Sequence, residues 1–223
     1  MTDRPRMRLH AGEVEAADWH VEELSNVLRR LREAAPDVTG RPLLVAVDGR
    51  GGAGKSTLVQ RLCEFVPASG VVHTDDIAWN HACFDWGQLL TEHVLKPLHR
   101  GEAVEFRPRA WTDHDRPGTI RVPAGTDVVW IEGTGVIRTE LAPWLDASIW
   151  VQGDLDEQER RLAARDGDSA AQRQHIAAWL AEELPFLLRE QPWRKATIVV
   201  AGTIDLPHDP DTEIVTAARV IRY

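Results

Sequence analysis

Residues 47–57, VDGRGGAGKST, constrain this chain more than any other stretch. They follow the apolar run Leu43 to Ala46 and set glycine at positions 49, 51, 52 and 54, just ahead of Lys55-Ser56-Thr57. A turn needs one or two glycines; four strip the side chains from a short segment so that its backbone can approach something closely. Two motifs overlap here. Gly49-x-Gly51-x-x-Gly54 satisfies a dinucleotide fingerprint, with Asp75 roughly where such a fold places its ribose-binding acid. The same residues open Gly49-x-x-x-x-Gly54-Lys55-Ser56, a phosphate-binding loop. Lys55-Ser56-Thr57 breaks the tie, because a dinucleotide loop has no use for an ammonium and a hydroxyl at the start of its helix. A phosphate loop needs both. Its backbone from Gly49 through Gly51, Gly52, Ala53 and Gly54 to Thr57 cradles phosphates, Lys55 neutralises their charge, and Ser56 ligates magnesium.

Length and charge narrow the rest. The chain has 223 residues, 43% of them hydrophobic, which suits one α/β domain with insertions better than two domains. A net charge of −9 without a dense basic run argues against nucleic acid as a partner and reads as a solubilising surface. No apolar leader core or membrane-length run occurs, so no membrane partner is expected. Cys63 and Cys83 are too few for a disulfide framework and suit a reducing cytoplasm.

Apolar or small residues at Val14, Ala17, Val21, Leu24, Val27, Leu28 and Leu31 predict an amphipathic helix over 12–34. Residues 1–40 would then be an N-terminal helical extension and 41–223 the main domain. That helix reads as docked on the sheet; a homodimer through it stays open. Strands are expected at Leu43 to Asp48, Val71 to Thr74, Asp127 to Ile131, Ser148 to Val151 and Thr197 to Ala201, with helices at 55–66 and 85–99. Alternation of strand and helix implies an α/β fold, with a five-stranded, mostly parallel sheet flanked by helices. A β-ribbon or long loop is expected as an insertion near residues 103–122.

In such a sheet, site residues gather at the carboxyl ends of strands. Glu132 ends the apolar run VVWI and suits contact with a metal or its water, or capping of a following helix. Asp75 and Asp76 end the second strand; one would take a proton while the other orients it, or they cap a turn. Arg161 and Arg165 share one helix face, as a solvated charged face or as a lid over phosphates. His73, His81, His93 and His114 lack the spacing of a zinc site.

With these residues in place, the chain resembles the uridine kinase branch of small-molecule P-loop kinases, loosely from about residue 42 to 202. VDGRGGAGKST matches the family's phosphate loop. HTDDIAW is similar to the segment whose aspartate activates a nucleoside 5′-hydroxyl, a role that falls on Asp75 with Asp76 beside it. CFDW resembles the segment that holds ribose hydroxyls, here Asp85, and AWTDHDR one that lines a base pocket, here His114 and Arg116. VVWIEGTGV resembles the strand that supports magnesium through Glu132, and RRLAARD the lid helix with Arg161 and Arg165. Three departures touch the lid and acceptor pocket: DGDSAAQRQ carries only Arg173, the one tyrosine is Tyr223, and the segment after Asp85 is short. The resemblance implies a P-loop kinase fold using ATP and Mg2+, with a small-molecule acceptor, a nucleoside first. Another polyol, a vitamin precursor or a nucleoside monophosphate stands second. A nucleotide-dependent switch or ATP-binding accessory protein is the rival from another class; no Asn/Thr-Lys-x-Asp occurs to support a guanine switch.

Overall fold

In the computed structural model, which describes residues 7–203 and 206–219, the run ahead of the glycine loop is strand β2, Leu43–Gly49, buried along its whole length. A strand apolar on both faces belongs inside a covered parallel sheet. It pairs in parallel with β6 (Val128–Glu132) on one side and β7 (Ala147–Gln152) on the other. Beyond them, β3 (Ser69–His73) pairs with β6 and β8 (Ile198–Ala201) with β7, both in parallel. These are the five strands expected from the apolar runs.

The sheet does not stop at five. β9 (Glu213–Arg219) adds antiparallel to β8, and β1 (Ala17–Glu23) adds antiparallel to β9, giving seven strands in the order β1-β9-β8-β7-β2-β6-β3. β1 occupies the first half of the helix expected over 12–34; only Leu24–Glu33 is helical, as α1. The reason is visible in the sequence once the partner is known. Ala17, Trp19 and Val21 alternate with polar residues at period two, and β9 satisfies their backbone groups. A shared set of apolar positions had matched the helical period as well. Tyr223 lies outside the described residues.

Alternate residues of β2 feed opposite layers. Val45 and Val47 join Trp130 and Ile149 beneath Leu24, Val27 and Leu31 of α1 and Leu58 and Leu62 of α2 (Lys55–Phe65). Leu44 and Ala46 join Val129 and Ile131 on the other face. There they meet Leu90 of α4 (Gly87–Leu90) and Leu98 of α5 (Lys96–His99), two helices joined by a π-helical turn, Thr91–Leu95. The insertion is a true ribbon: β4 (Val104–Phe106) pairs antiparallel with β5 (Ile120–Val122), with the short α6 (Arg109–Asp113) between them. Among the described residues, no helix is long and apolar enough to cross a membrane.

α1 is thus a core element, not a surface addition. Leu31→Ala should destabilise the fold by about 2–5 kcal/mol, the range for truncating a fully buried leucine. Denaturant unfolding checks this; a loss below about 0.5 kcal/mol would mean that α1 is only loosely attached.

Candidate active site

The glycine loop lies at the carboxyl end of central β2, between β6 and β7, and its glycines meet specific neighbours. A Cβ at Gly49 would stand 2.7 Å from the Val151 carbonyl oxygen, and one at Gly52 2.6 Å from the Gln158 carbonyl oxygen. Gly52 and Gly54 also take φ of 74° and 102°, the left-handed region that side chains disfavour. Gly54 ends the loop as N-cap of α2 with no side-chain cap, so the first-turn N–H groups of an 11-residue helix point into the loop. Lys55 Nζ donates to the carbonyls of Gly49 at 2.9 Å and Arg50 at 3.1 Å, and lies 3.3 Å from Thr134 Oγ1.

Beneath the loop, Asp48 is fully buried and accepts from Gly49 N, Gly135 N and Ile137 N at 2.7, 2.9 and 2.8 Å. One carboxylate thereby ties the glycine loop to the Glu132-Gly133 segment after β6. Burial pushes this carboxyl up to about 6, against the pull of the three amides and Lys55. Nothing in the sequence marks Asp48 apart from its place at the end of an apolar run.

Glu132 is buried, with its Oε2 2.7 Å from His73 Nδ1 of β3. Burial pulls its carboxyl up, but the His73 hydrogen bond, Lys55 and Ser56 hold it below the ordinary value. The Glu132 hydrogen bond in turn raises His73. Asp75 and Asp76 do not end β3, which stops at His73; both sit in the first turn of α3 (Thr74–Ala78). Neither caps that helix by its side chain. Asp75 is exposed and lines one cleft with Lys55, Ser56 and Glu132.

Asp76 points elsewhere. Its Oδ1 accepts from Arg116 Nη2 at 2.5 Å, and its carbonyl accepts from Trp111 Nε1 at 3.0 Å. The Arg116 guanidinium lies 3.9 Å from the Trp111 ring and 5.3 Å from that of Trp79, and His114 meets Trp79 edge-on at 5.6 Å. Asp85 is exposed in the turn before α4, where Arg138 Nη1 donates to the Phe84 carbonyl at 2.6 Å. Asp76, Asp85, His114 and Arg116 are absent from the lining of the cleft that holds Lys55 and Asp75. The expected site residues therefore divide into a phosphate-side set and an aromatic-side set.

A helical hairpin closes the phosphate side. α7 (Leu155–Asp166) starts from the capping side chain of Asp154, and α8 (Ala170–Glu190) follows. Arg161 and Arg165 of α7 and Arg173 of α8 all line the cleft. Arg161 Nη1 donates to the carbonyls of Gly52 at 3.4 Å and Gly202 at 3.0 Å, while Arg165 pairs with Asp166. Among the described residues, no three His, Cys, Asp or Glu side chains group closely enough to hold a metal by themselves.

No family model matches the chain. A uridine kinase from Clostridium novyi is 28% identical over 145 residues, covering 56% of this chain and 69% of that protein. A uridine kinase from Deinococcus deserti is 29% identical with the same coverage. Among solved structures, one named for a fructose transport system kinase of Silicibacter sp. aligns with a TM-score of 0.51 at 22% identity, over 70% of this chain and 86% of that one. D-glycerate 3-kinase from Cryptococcus neoformans aligns with a TM-score of 0.50 at 14% identity, over 80% and 93%. The structural likenesses establish the fold.

Asp48 provides a test of how the loop is held. Its carboxyl titrates higher folded than unfolded, so the folded chain retains a proton between about pH 4 and 6 and its contribution to stability falls as pH rises through that window. Asp48→Asn lacks this slope and leaves one amide facing an amino group, at a cost of about 1–3 kcal/mol. The stability gap between wild type and Asp48→Asn should therefore narrow as pH rises from 4 to 7. Denaturant unfolding across that range measures it; a widening gap would contradict the assignment.

Proposed function

From the premise that the chain is uridine kinase-like and of the P-loop kinase fold, we propose that it transfers the γ-phosphoryl group of ATP to a hydroxyl of a small molecule, a nucleoside being the leading acceptor. The observation that carries this reading is the convergence of Lys55, Ser56, Asp75 and Glu132 on one cleft at the carboxyl edge of the sheet. A nucleotide-dependent switch needs the loop and a metal carboxylate but has no use for an acceptor-side base such as Asp75.

Phosphoryl transfer relies on positioning and charge neutralisation more than on covalent chemistry by the protein. The loop amides and the start of α2 bind phosphate oxygens, and Lys55 leaves its carbonyl partners to balance β/γ charge. Arg161 and Arg165 approach from the hairpin as further cations. Asp75 accepts the proton of the acceptor hydroxyl while that oxygen bonds to the γ-phosphorus and the bond to the ADP oxygen breaks.

Ser56 and Glu132 offer one hydroxyl and one carboxylate, an oxygen donor set that suits Mg2+, which prefers a few protein ligands completed by phosphate and water. When bound there, the ion neutralises charge shared by the β- and γ-phosphates. His73 orients the Glu132 carboxylate from behind. On the aromatic side, Asp76 holds Arg116 against the rings of Trp111 and Trp79, a wall for an acceptor ring, with His114 beside it and Asp85 available for vicinal hydroxyls. Because these four stand outside the phosphate cleft, smaller polyols remain the second reading for the acceptor.

Two experiments test the reading. Lys55→Ala should abolish ATP turnover in a screen of nucleosides and small alcohols while the fold survives, as judged by circular dichroism. Near-normal turnover would remove the phosphate-loop assignment. Asp75→Asn should lower kcat by about 10²–10⁴-fold with ATP affinity little changed, and excess magnesium should not rescue it. Glu132→Gln should raise the magnesium requirement and recover part of its rate as magnesium is added. A magnesium titration of initial rates compares the two. Rescue of Asp75→Asn by metal would exchange their roles.

A further inference from the structure

Beside the glycine loop lies a buried polar cluster that the proposed chemistry does not use, of which Arg50, Glu183 and His10 line the same cleft as Lys55. Arg50, the second residue of the loop, is only 4% exposed, and its Nη2 lies 2.9 Å from Oε2 of Glu183, itself 1% exposed on α8. The Arg50 charge acts in turn on Glu13 and His10, from the segment ahead of β1. Glu13 Oε1 accepts from Trp150 Nε1 at 3.2 Å and Gln152 Nε2 at 3.0 Å, which anchors it to β7. Two buried atoms of the cluster, His10 Nε2 and Glu13 Oε2, have no hydrogen-bond partner among the described residues.

Such a cluster is a poor source of stability. Desolvating an ion pair costs as much as its attraction returns, and apolar residues of similar volume usually serve the fold as well or better. Burial accordingly pushes the Glu183 and Glu13 carboxyls up and the Arg50 guanidinium down. A reason for the charges appears at the other end of Arg50. Its carbonyl oxygen accepts from Lys55 Nζ at 3.1 Å and from Ala53 N at 3.1 Å. The side chain of Arg50 is pinned to α8, and its peptide sets both the loop's turn and the resting place of the phosphate-binding ammonium.

We infer that Glu183 is a positioning residue for the phosphate loop, acting through Arg50. The same pair ties the seat of the α7–α8 hairpin, which brings Arg161, Arg165 and Arg173 to the cleft, to the setting of Lys55. This rests on the reading of the loop as a nucleotide site, and goes beyond it by giving α8 a residue that sets the loop through Arg50.

The test combines titration of a fluorescent ATP analogue, with Mg2+, with thermal unfolding of the full chain. Wild type and Lys55→Ala come first; if wild type shows no Lys55-dependent binding, the nucleotide reading fails and the inference falls with it. Given that binding, Glu183→Gln, which keeps shape and removes charge, should weaken affinity by about ten- to a hundredfold. Glu183→Asp should recover part of the loss. Arg50→Met/Glu183→Leu fills the site without charge and serves also if Glu183→Gln fails to fold. Its thermal midpoint should match or exceed wild type while affinity stays weakened. Wild-type affinity in Glu183→Gln, or in the double variant once stability is restored, would overturn the inference.

Discussion

The rest of the structure depends on the burial of β2 on both faces. A strand that reads LLVAVDG cannot stand at a wet edge, so it must be flanked by two strands and covered by helices above and below. Parallel pairing with β6 and β7 then aligns the carboxyl ends of all three at one edge. There the chain must leave the sheet, and its backbone groups lose their ladder partners. The glycine loop, the Glu132-Gly133 turn and the Gln152-Gly153 turn open side by side as a consequence. The hydrogen bonds of Asp48 then join two of these three exits through a single carboxylate.

Electrostatics at this edge follow from that geometry. A helix N-terminus, open loop amides, Lys55 and the hairpin arginines share this cleft with Glu132 and Asp75. The chain carries a net charge of −9 overall, whereas the cleft lining sets seven arginine and lysine residues against seven aspartate and glutamate residues. Two of the cleft's cations hydrogen-bond to backbone carbonyls, although Arg161 also pairs with Glu157 and Arg165 with Asp166. Lys55 rests on Gly49 and Arg50, and Arg161 on Gly52 and Gly202. Arg50 differs in that its carboxylate partner, Glu183, is buried with it.

Much of this was legible in the residues. The phosphate loop is a local motif: its glycines, lysine and hydroxyl act within nine consecutive positions, so spacing alone exposes it. Glu132 was legible for a similar reason, as a carboxylate that ends a run too apolar to be anything but a covered strand. The ribbon at 103–122 showed itself through alternation and proline. The 12–34 segment misled because Ala17, Val21 and Leu24 satisfy a helical period while Ala17, Trp19 and Val21 satisfy a strand period. Only β9, some two hundred residues away, chooses between them.

By itself, then, the sequence determined the loop, the five parallel strands, the helices that follow them, and Glu132 at the end of β6. Each of these rests on contacts between near neighbours or on a periodicity that any partner would satisfy. Tertiary structure alone decided that Asp76 turns to Arg116 while Asp75 stays open to the cleft, although the two are adjacent and chemically identical. It alone decided that Arg50 meets Glu183, 133 positions further on, and that Asp48 holds the turn at Gly135. Pairings of this kind depend on where distant elements come to lie. Their residues carry no local pattern, because a buried charge has no signature until its partner is brought to it.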